Sequence, residues 1–183
     1  MDVVIEPTVA LDAPLADWLT RVAARVLEGL DAGEDAEACL VLTDDDGIHE
    51  LNRTWRGIDR PTDVLSFPQQ EGDGAFHTPG LLGDIVVSVP TARRVAAAGA
   101  HRDRVASDAA WDGPWSLGHE LAFLVVHGAL HLVGHDHAEP EEEARMRAEE
   151  GRIFRDTLTA CGPPPNGPDE DGTRTGSDDV TTP

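Results

Sequence analysis

The sequence has no lysine: its 14 basic residues are all arginine, set against 35 acidic ones, for a formal net charge of −21. Such a balance argues against nucleic-acid binding driven by bulk charge. It suits a salt-rich cytosol, where self-repulsion is screened, although codon bias that replaces Lys by Arg gives the same composition. Cysteine is scarce too. Cys39 and Cys161 match no metal or redox spacing, so incidental thiols in a reducing cytosol are expected rather than a disulfide. No apolar run reaches the length of a membrane span. Residues 1–12 lack the basic start and apolar core of a secretory signal. A cytoplasmic protein without membrane contact is therefore expected.

Histidine is where the composition is rich. Four of the eight histidines fall in His127-Gly128-Ala129-Leu130-His131-Leu132-Val133-Gly134-His135-Asp136-His137. His127 and His131 are spaced to project from one face of a helix, one turn apart. The preceding Leu121-Ala122-Phe123-Leu124-Val125-Val126 is apolar all round, as in a buried helix. Imidazoles on such a helix are costly without partners, and a metal ion supplies one. Gly134 stands where a left-handed residue ends a helix, so the chain can bring His137 back toward the first two. His135 would share their face only if the helix ran through Gly134, which favours His137 as third ligand. Asp136 is read as orienting a ligand or capping the next segment. Three nitrogens plus an open position match catalytic zinc, and the predicted metal site is His127, His131 and His137. The spacing is also that of metzincin peptidases, but their general-base Glu follows the first His; here Gly128 stands in that place.

The remaining chain predicts alternating strands and helices. Val3-Val4-Ile5 reads as a strand, and residues 13–30 as an amphipathic helix capped by Asp12. Residues 38–43 read as a strand covered on both faces. Thr43-Asp44-Asp45-Asp46 ends it and can cap a helix through Ile48, Leu51 and Trp55; the run lacks the spacing and terminal Glu of a calcium loop, so a solvated turn is expected. Val64–Phe67 and Ile85–Val89 can pair as an antiparallel hairpin, with Pro68 marking an end or an edge. Residues 69–80 look like a mobile connection. A helix over 90–100 follows, then the metal helix over 117–133 and a last helix opened by Pro140, with Met146, Ile153, Phe154 and Leu158 as its apolar stripe. Residues 1–161 are expected to form one domain, and 162–183 a disordered acidic Pro/Gly-rich tail.

Three blocks in order give the chain a family likeness. The histidine block resembles the H-G-x-L-H-L-x-G-[YH]-D-H signature of the YbeY family of endoribonucleases. Asn52, Trp55, Arg56 and Gly57, followed by Pro61-Thr62-Asp63-Val64-Leu65-Ser66-Phe67-Pro68, resemble its N-x-x-[YWF]-R-G…P-T-[DN]-V-L-S-F-P. Leu82-Gly83-Asp84-Ile85-Val86-Val87-Ser88 resembles its L-G-D-I-x-I-S. The resemblance implies an α+β, zincin-like fold: a small mixed sheet of about four strands, about five or six helices, and the metal site on a central helix. It implies an edge strand beside the metal, and that residues 101–116 depart from a shorter family connection.

It also implies a metal-dependent endoribonuclease acting on single-stranded RNA in 3′-end maturation of small-subunit ribosomal RNA and in ribosome quality control. The partners would be ribosomal RNA and the pre-ribosomal small subunit. One Zn2+ per chain is expected, with no small organic cofactor. Such an ion lowers the pKa of bound water, so no separate base is needed; a cation must still hold the phosphodiester. Arg56, matching the family's arginine, is the candidate, since its fork suits phosphate. Arg53, Arg60, Arg93 and Arg94 could extend a basic track, while Asp84 and Ser66 are as readily structural as catalytic. A zincin-type metallopeptidase and a non-catalytic ribosome-assembly factor with a structural metal are the alternatives.

Overall fold

Among the described residues of a computed structural model (2–30, 32–33, 35–69, 80–109 and 114–165), the chain forms four strands and six helices. Strand β1 (Asp2–Pro7) pairs in parallel with β2 (Glu37–Thr43), and β2 in parallel with β4 (Leu81–Ser88). The edge strand β3 (Val64–Pro68) runs antiparallel to β4, with Ser66 opposite Ile85. The expected hairpin is therefore present, and the spatial order β1-β2-β4-β3 leaves one edge of β3 unpaired among the described residues. Helix α1 (Ala13–Gly29) links β1 to β2, and α2 (Asp45–Arg56) links β2 to β3. After β4 come α3 (Val89–Ala98), α4 (Ala100–Ala109), α5 (Leu117–Leu132) and α6 (Pro140–Cys161). This is the expected α+β architecture with a small mixed sheet.

Local signals explain most boundaries. The Asp12 carboxylate accepts the Leu15 N–H at 2.8 Å and starts α1, which buries Leu15, Trp18, Leu19, Val22, Val26 and Leu27. In β2, Ala38, Leu40 and Leu42 face the main core, shared with α1, α5 and α6. Val41 faces the other way and packs on a smaller cluster of Ile48, Leu65 and Val86 under α2. Consecutive apolar residues in β2 thus serve both faces of the sheet. Neither Cys39 nor Cys161 forms a disulfide among the described residues.

Two segments differ from expectation. Gly99 ends α3 in the left-handed conformation (φ 69°), and a new helix, α4, follows at once. Its sequence shows no apolar stripe: Val105 packs into the main core, and polar contacts add to its hold. His101 binds Glu120 of α5, and Arg104 binds Glu150 of α6. The aspartate run caps α2 as expected, with Asp44 accepting the Gly47 N–H at 2.8 Å, but it is not merely a solvated turn. Asp45 accepts from Ser88 Oγ at 2.6 Å, Thr91 Oγ1 at 2.7 Å and Arg94 at 2.8 Å, so it ties α2 to the start of α3. Residues 70–79, 110–113 and 166–183 lie outside the described residues, and with them most of the expected connection and tail. Two of residues 162–165 are tied to the domain: the Trp18 indole donates to the Gly162 carbonyl at 3.1 Å, and Pro164 is buried against Gly118.

Helix α5 carries the centre of the molecule. Every residue from Gly118 to Leu132 is buried except His127 and His131. Gly128 is where this helix rests on the sheet. A Cβ there would stand 2.7 Å from Ile85 Cγ2 and 3.1 Å from Ser66 Oγ. Absence of a side chain therefore lets the helix lie directly on β3 and β4, which brings its histidines to the open edge of β3.

Candidate metal centre

The helical repeat places His127 and His131 one above the other, with ring centroids 4.7 Å apart. The helix then stops. Gly134 adopts φ 86°, and the His135 N–H returns to the Leu130 carbonyl at 3.0 Å. That reversal carries His137 to 5.1 Å from the His131 ring and 5.8 Å from His127. One donor atom from each of the three lies within 4.8 Å of the others. The structure thus brings together the three predicted histidines. The His135 imidazole is outside this set; its carbonyl accepts a hydrogen bond from His131 Nδ1 at 2.9 Å. Asp136 accepts the His137 N–H at 2.7 Å and shapes the bend.

The hydrogen bonds decide which nitrogens face inward. A carbonyl only accepts, so His131 Nδ1 carries its hydrogen. Burial, helped by the charges of His127 and His137, lowers the His131 pKa to about 4. The ring is then neutral near pH 7 and its Nε2 presents a lone pair. His127 Nδ1 donates to Glu150 Oε1 at 2.6 Å. Its own Nε2 stands 3.2 Å from that of His131. Two lone pairs held face to face repel unless a cation or a proton lies between them. Three convergent imidazoles form a donor set for a borderline transition ion such as zinc rather than for hard magnesium or calcium.

Glu150 was not singled out in the sequence. It lies on α6 with 1% of its surface exposed, bonded to His127 on one side and to Arg104 on the other. Arg104 approaches with Nε at 2.9 Å from Oε2 and Nη2 at 3.0 Å from Oε1. Burial raises the Glu150 pKa, but the His127 bond and the Arg104 charge outweigh it, and the net shift is downward. The ionised carboxylate fixes the His127 tautomer, as the partners of metal-binding histidines commonly do. A signal was available: position 150 falls within the stripe of Met146, Ile153 and Phe154, where a carboxylate must have a partner.

The trio opens into a cavity of about 460 Å³. Val64, Leu65, Ser66 and Pro68 of β3 form one wall, and the bend from Gly134 to His137 another. Arg56 reaches it from the end of α2. Asn52 supports that approach: buried, it donates from Nδ2 to the Arg60 carbonyl at 2.8 Å and braces the loop after α2. Among the described residues no carboxylate pairs with Arg56. Arg53, Arg60, Arg93 and Arg94 do not line the cavity, and Arg94 is held by Asp45. Of the arginines considered for a basic track, Arg56 alone lines this cavity.

Fold and site together define a small α+β protein with a helix-borne three-histidine centre beside an open sheet edge. The sequence model described as Endoribonuclease YbeY matches residues 6–157. An Endoribonuclease YbeY of Pelotomaculum thermopropionicum is 42% identical over 152 residues, covering 82% of this chain and 91% of the relative. One of Moorella thermoacetica is 44% identical over 153 residues, 78% and 89% of the two chains. A solution structure from Thermotoga maritima shares the fold, with a TM-score of 0.55 at 24% identity over 94% of this chain and 99% of that one. The chain belongs to the endoribonuclease YbeY family.

Proposed function

We propose that the protein is a metal-dependent endoribonuclease that cuts single-stranded RNA. In this reading His127, His131 and His137 hold one Zn2+, Arg56 binds the scissile phosphodiester, and residues 1–161 act as one domain. The substrate is the small-subunit ribosomal RNA precursor, matured at its 3′ end in the cytoplasm on pre-ribosomal particles. The observation that carries the proposal is the convergence of three imidazole donors in a cavity shared with Arg56 and the open edge of β3. Relatives over most of the chain bear the name of an endoribonuclease.

His127, His131 and His137 would hold the ion, which would supply Lewis acidity toward a phosphoryl oxygen and lower the pKa of water bound to it. The protein supplies the rest. The Arg56 fork can take two phosphate oxygens and stabilise charge that develops on them. Glu150 and the His135 carbonyl hold two rings in the tautomer that points Nε2 inward. The peptidase alternative is disfavoured by space as well as chemistry. The position after the first histidine packs on Ile85, so the glutamate that peptidases carry there has no room.

Elemental analysis of purified protein, run beside cleavage of a small-subunit RNA precursor, tests the proposal. Wild type should contain about one zinc per chain and cut. His131→Ala should lose both properties, whereas Arg56→Glu should keep the metal and lose at least about a hundredfold in rate. Stoichiometric metal retained by His131→Ala would reject the ligand set, and full activity of Arg56→Glu would remove that residue from the reaction.

A further inference from the structure

Trp55 is the one large hydrophobic side chain that stands clearly in solvent among the described residues, 70% exposed. Tryptophan gains more than most side chains by burial, so an indole left outside a core invites a partner. Its position says which. Trp55 precedes Arg56, which lines the histidine cavity. Its ring meets Phe67 at an angle of 68°, centroids 6.0 Å apart. Phe67 sits in β3 between Ser66 and Pro68, and both of those line the cavity. Successive strand residues are about 3.3 Å apart and face opposite sides. The indole is therefore one residue from the cavity's arginine and rests on a β3 residue flanked by two cavity residues, braced by Phe67 and still widely open to solvent.

We infer that Trp55 is a stacking platform for an unpaired nucleobase of the strand whose phosphodiester is held at the histidines. This rests on the reading of the site as an RNA-cleaving centre. Charge supports it independently. A chain with net charge −21 cannot gather a polyanion by bulk attraction, and its cavity offers one arginine. Stacking needs no charge, since every base has a π-face, and it is available only where bases are not already stacked in a duplex. The platform thus gives affinity that the electrostatics withhold, and with it a preference for single strands. Phe67 adds pre-organisation: a ring already braced loses less freedom when a base arrives.

Equilibrium binding of a labelled, 2′-O-methylated single-stranded oligoribonucleotide to the metal-loaded chain tests this, with cleavage of the unmodified strand measured in parallel. Trp55→Ala should weaken binding roughly five- to 150-fold, the range for one stacked base. Trp55→Phe should keep affinity within about threefold, because a smaller ring still stacks. An abasic residue beside the cut position should weaken wild type by a similar factor and leave Trp55→Ala no weaker. Unchanged melting temperature in Trp55→Ala would exclude a folding defect. Equal affinity of wild type and Trp55→Ala would overturn the platform and leave the cleavage reading standing. Binding that depends on Trp55 without any cutting would uphold the platform and overturn the cleavage reading. Absence of RNA binding by wild type would end both, and leave the indole as a surface for a protein.

Discussion

At the scale of single residues, the decisive contacts lie one step behind the histidines. His127 is oriented by Glu150, and Glu150 is held ionised by Arg104, so α6 and α4 both bear on a nitrogen of α5. Replacing Glu150 by Gln keeps the size but removes the charge that favours Nδ1–H, and it weakens the pairing with Arg104. Metal affinity should fall about ten- to a hundredfold, the usual effect of losing such support. Titration of the metal against a chromophoric chelator reads this directly, without reference to cleavage. An unaltered dissociation constant would mean that Glu150 serves packing alone. The three histidines were legible because helical spacing and a following glycine are written locally in the chain. Glu150 was harder to read, since it is one of many acidic residues on α6 and only its place in the apolar stripe sets it apart.

At the scale of elements, apolar periodicity announced α1, α5, α6 and the β3–β4 hairpin, and all of these form. Helix α4 was missed because Val105 alone of its described side chains joins the apolar core and much of its hold is polar: besides Arg104, His101 reaches the buried Glu120, which also accepts from the Trp115 indole at 2.7 Å. The junction of α2 with α3 is of the same kind. Burial raises the pKa of Asp45, but bonds from Ser88, Thr91 and Arg94, with the Arg94 charge, outweigh it and bring it from 3.8 to about 2. A carboxyl depressed in the folded state stabilises the fold above its unfolded value, and that contribution is lost as pH falls through the folded value. The window is therefore about pH 4 down to 2. At pH 7, Asp45→Asn should cost on the order of 1 kcal/mol, a reduced figure because the side chain is partly solvated. Urea midpoints of the two proteins should then draw together as the window is crossed. A gap that stays constant to pH 2 would show that the charge of Asp45 contributes nothing to the junction.

At the scale of the whole molecule, charge and proposed substrate oppose each other. Of the arginines, Arg25, Arg94, Arg104, Arg147 and Arg152 are committed to carboxylates of the protein itself. Composition showed the deficit of cations, but it could not show that Arg56 is the one brought to the cavity, because that depends on how α2 ends against β3. Binding of RNA through one or two phosphate contacts releases few counterions. For single strands the slope of log affinity against log salt is about −0.7 per contact, so raising salt from 50 to 200 mM should weaken binding only roughly three- to sevenfold. Repulsion from a net charge of −21 works in the other direction, since salt screens it, and flattens the dependence further. Proteins that grip nucleic acid through six to ten phosphates lose about a thousandfold or more over the same range. Affinity of the single-stranded oligonucleotide, measured at a series of potassium chloride concentrations, separates the two regimes. A steep, thousandfold loss would require a cationic groove elsewhere on the chain, and would mean that neither Arg56 nor the indole of Trp55 provides the main hold on RNA.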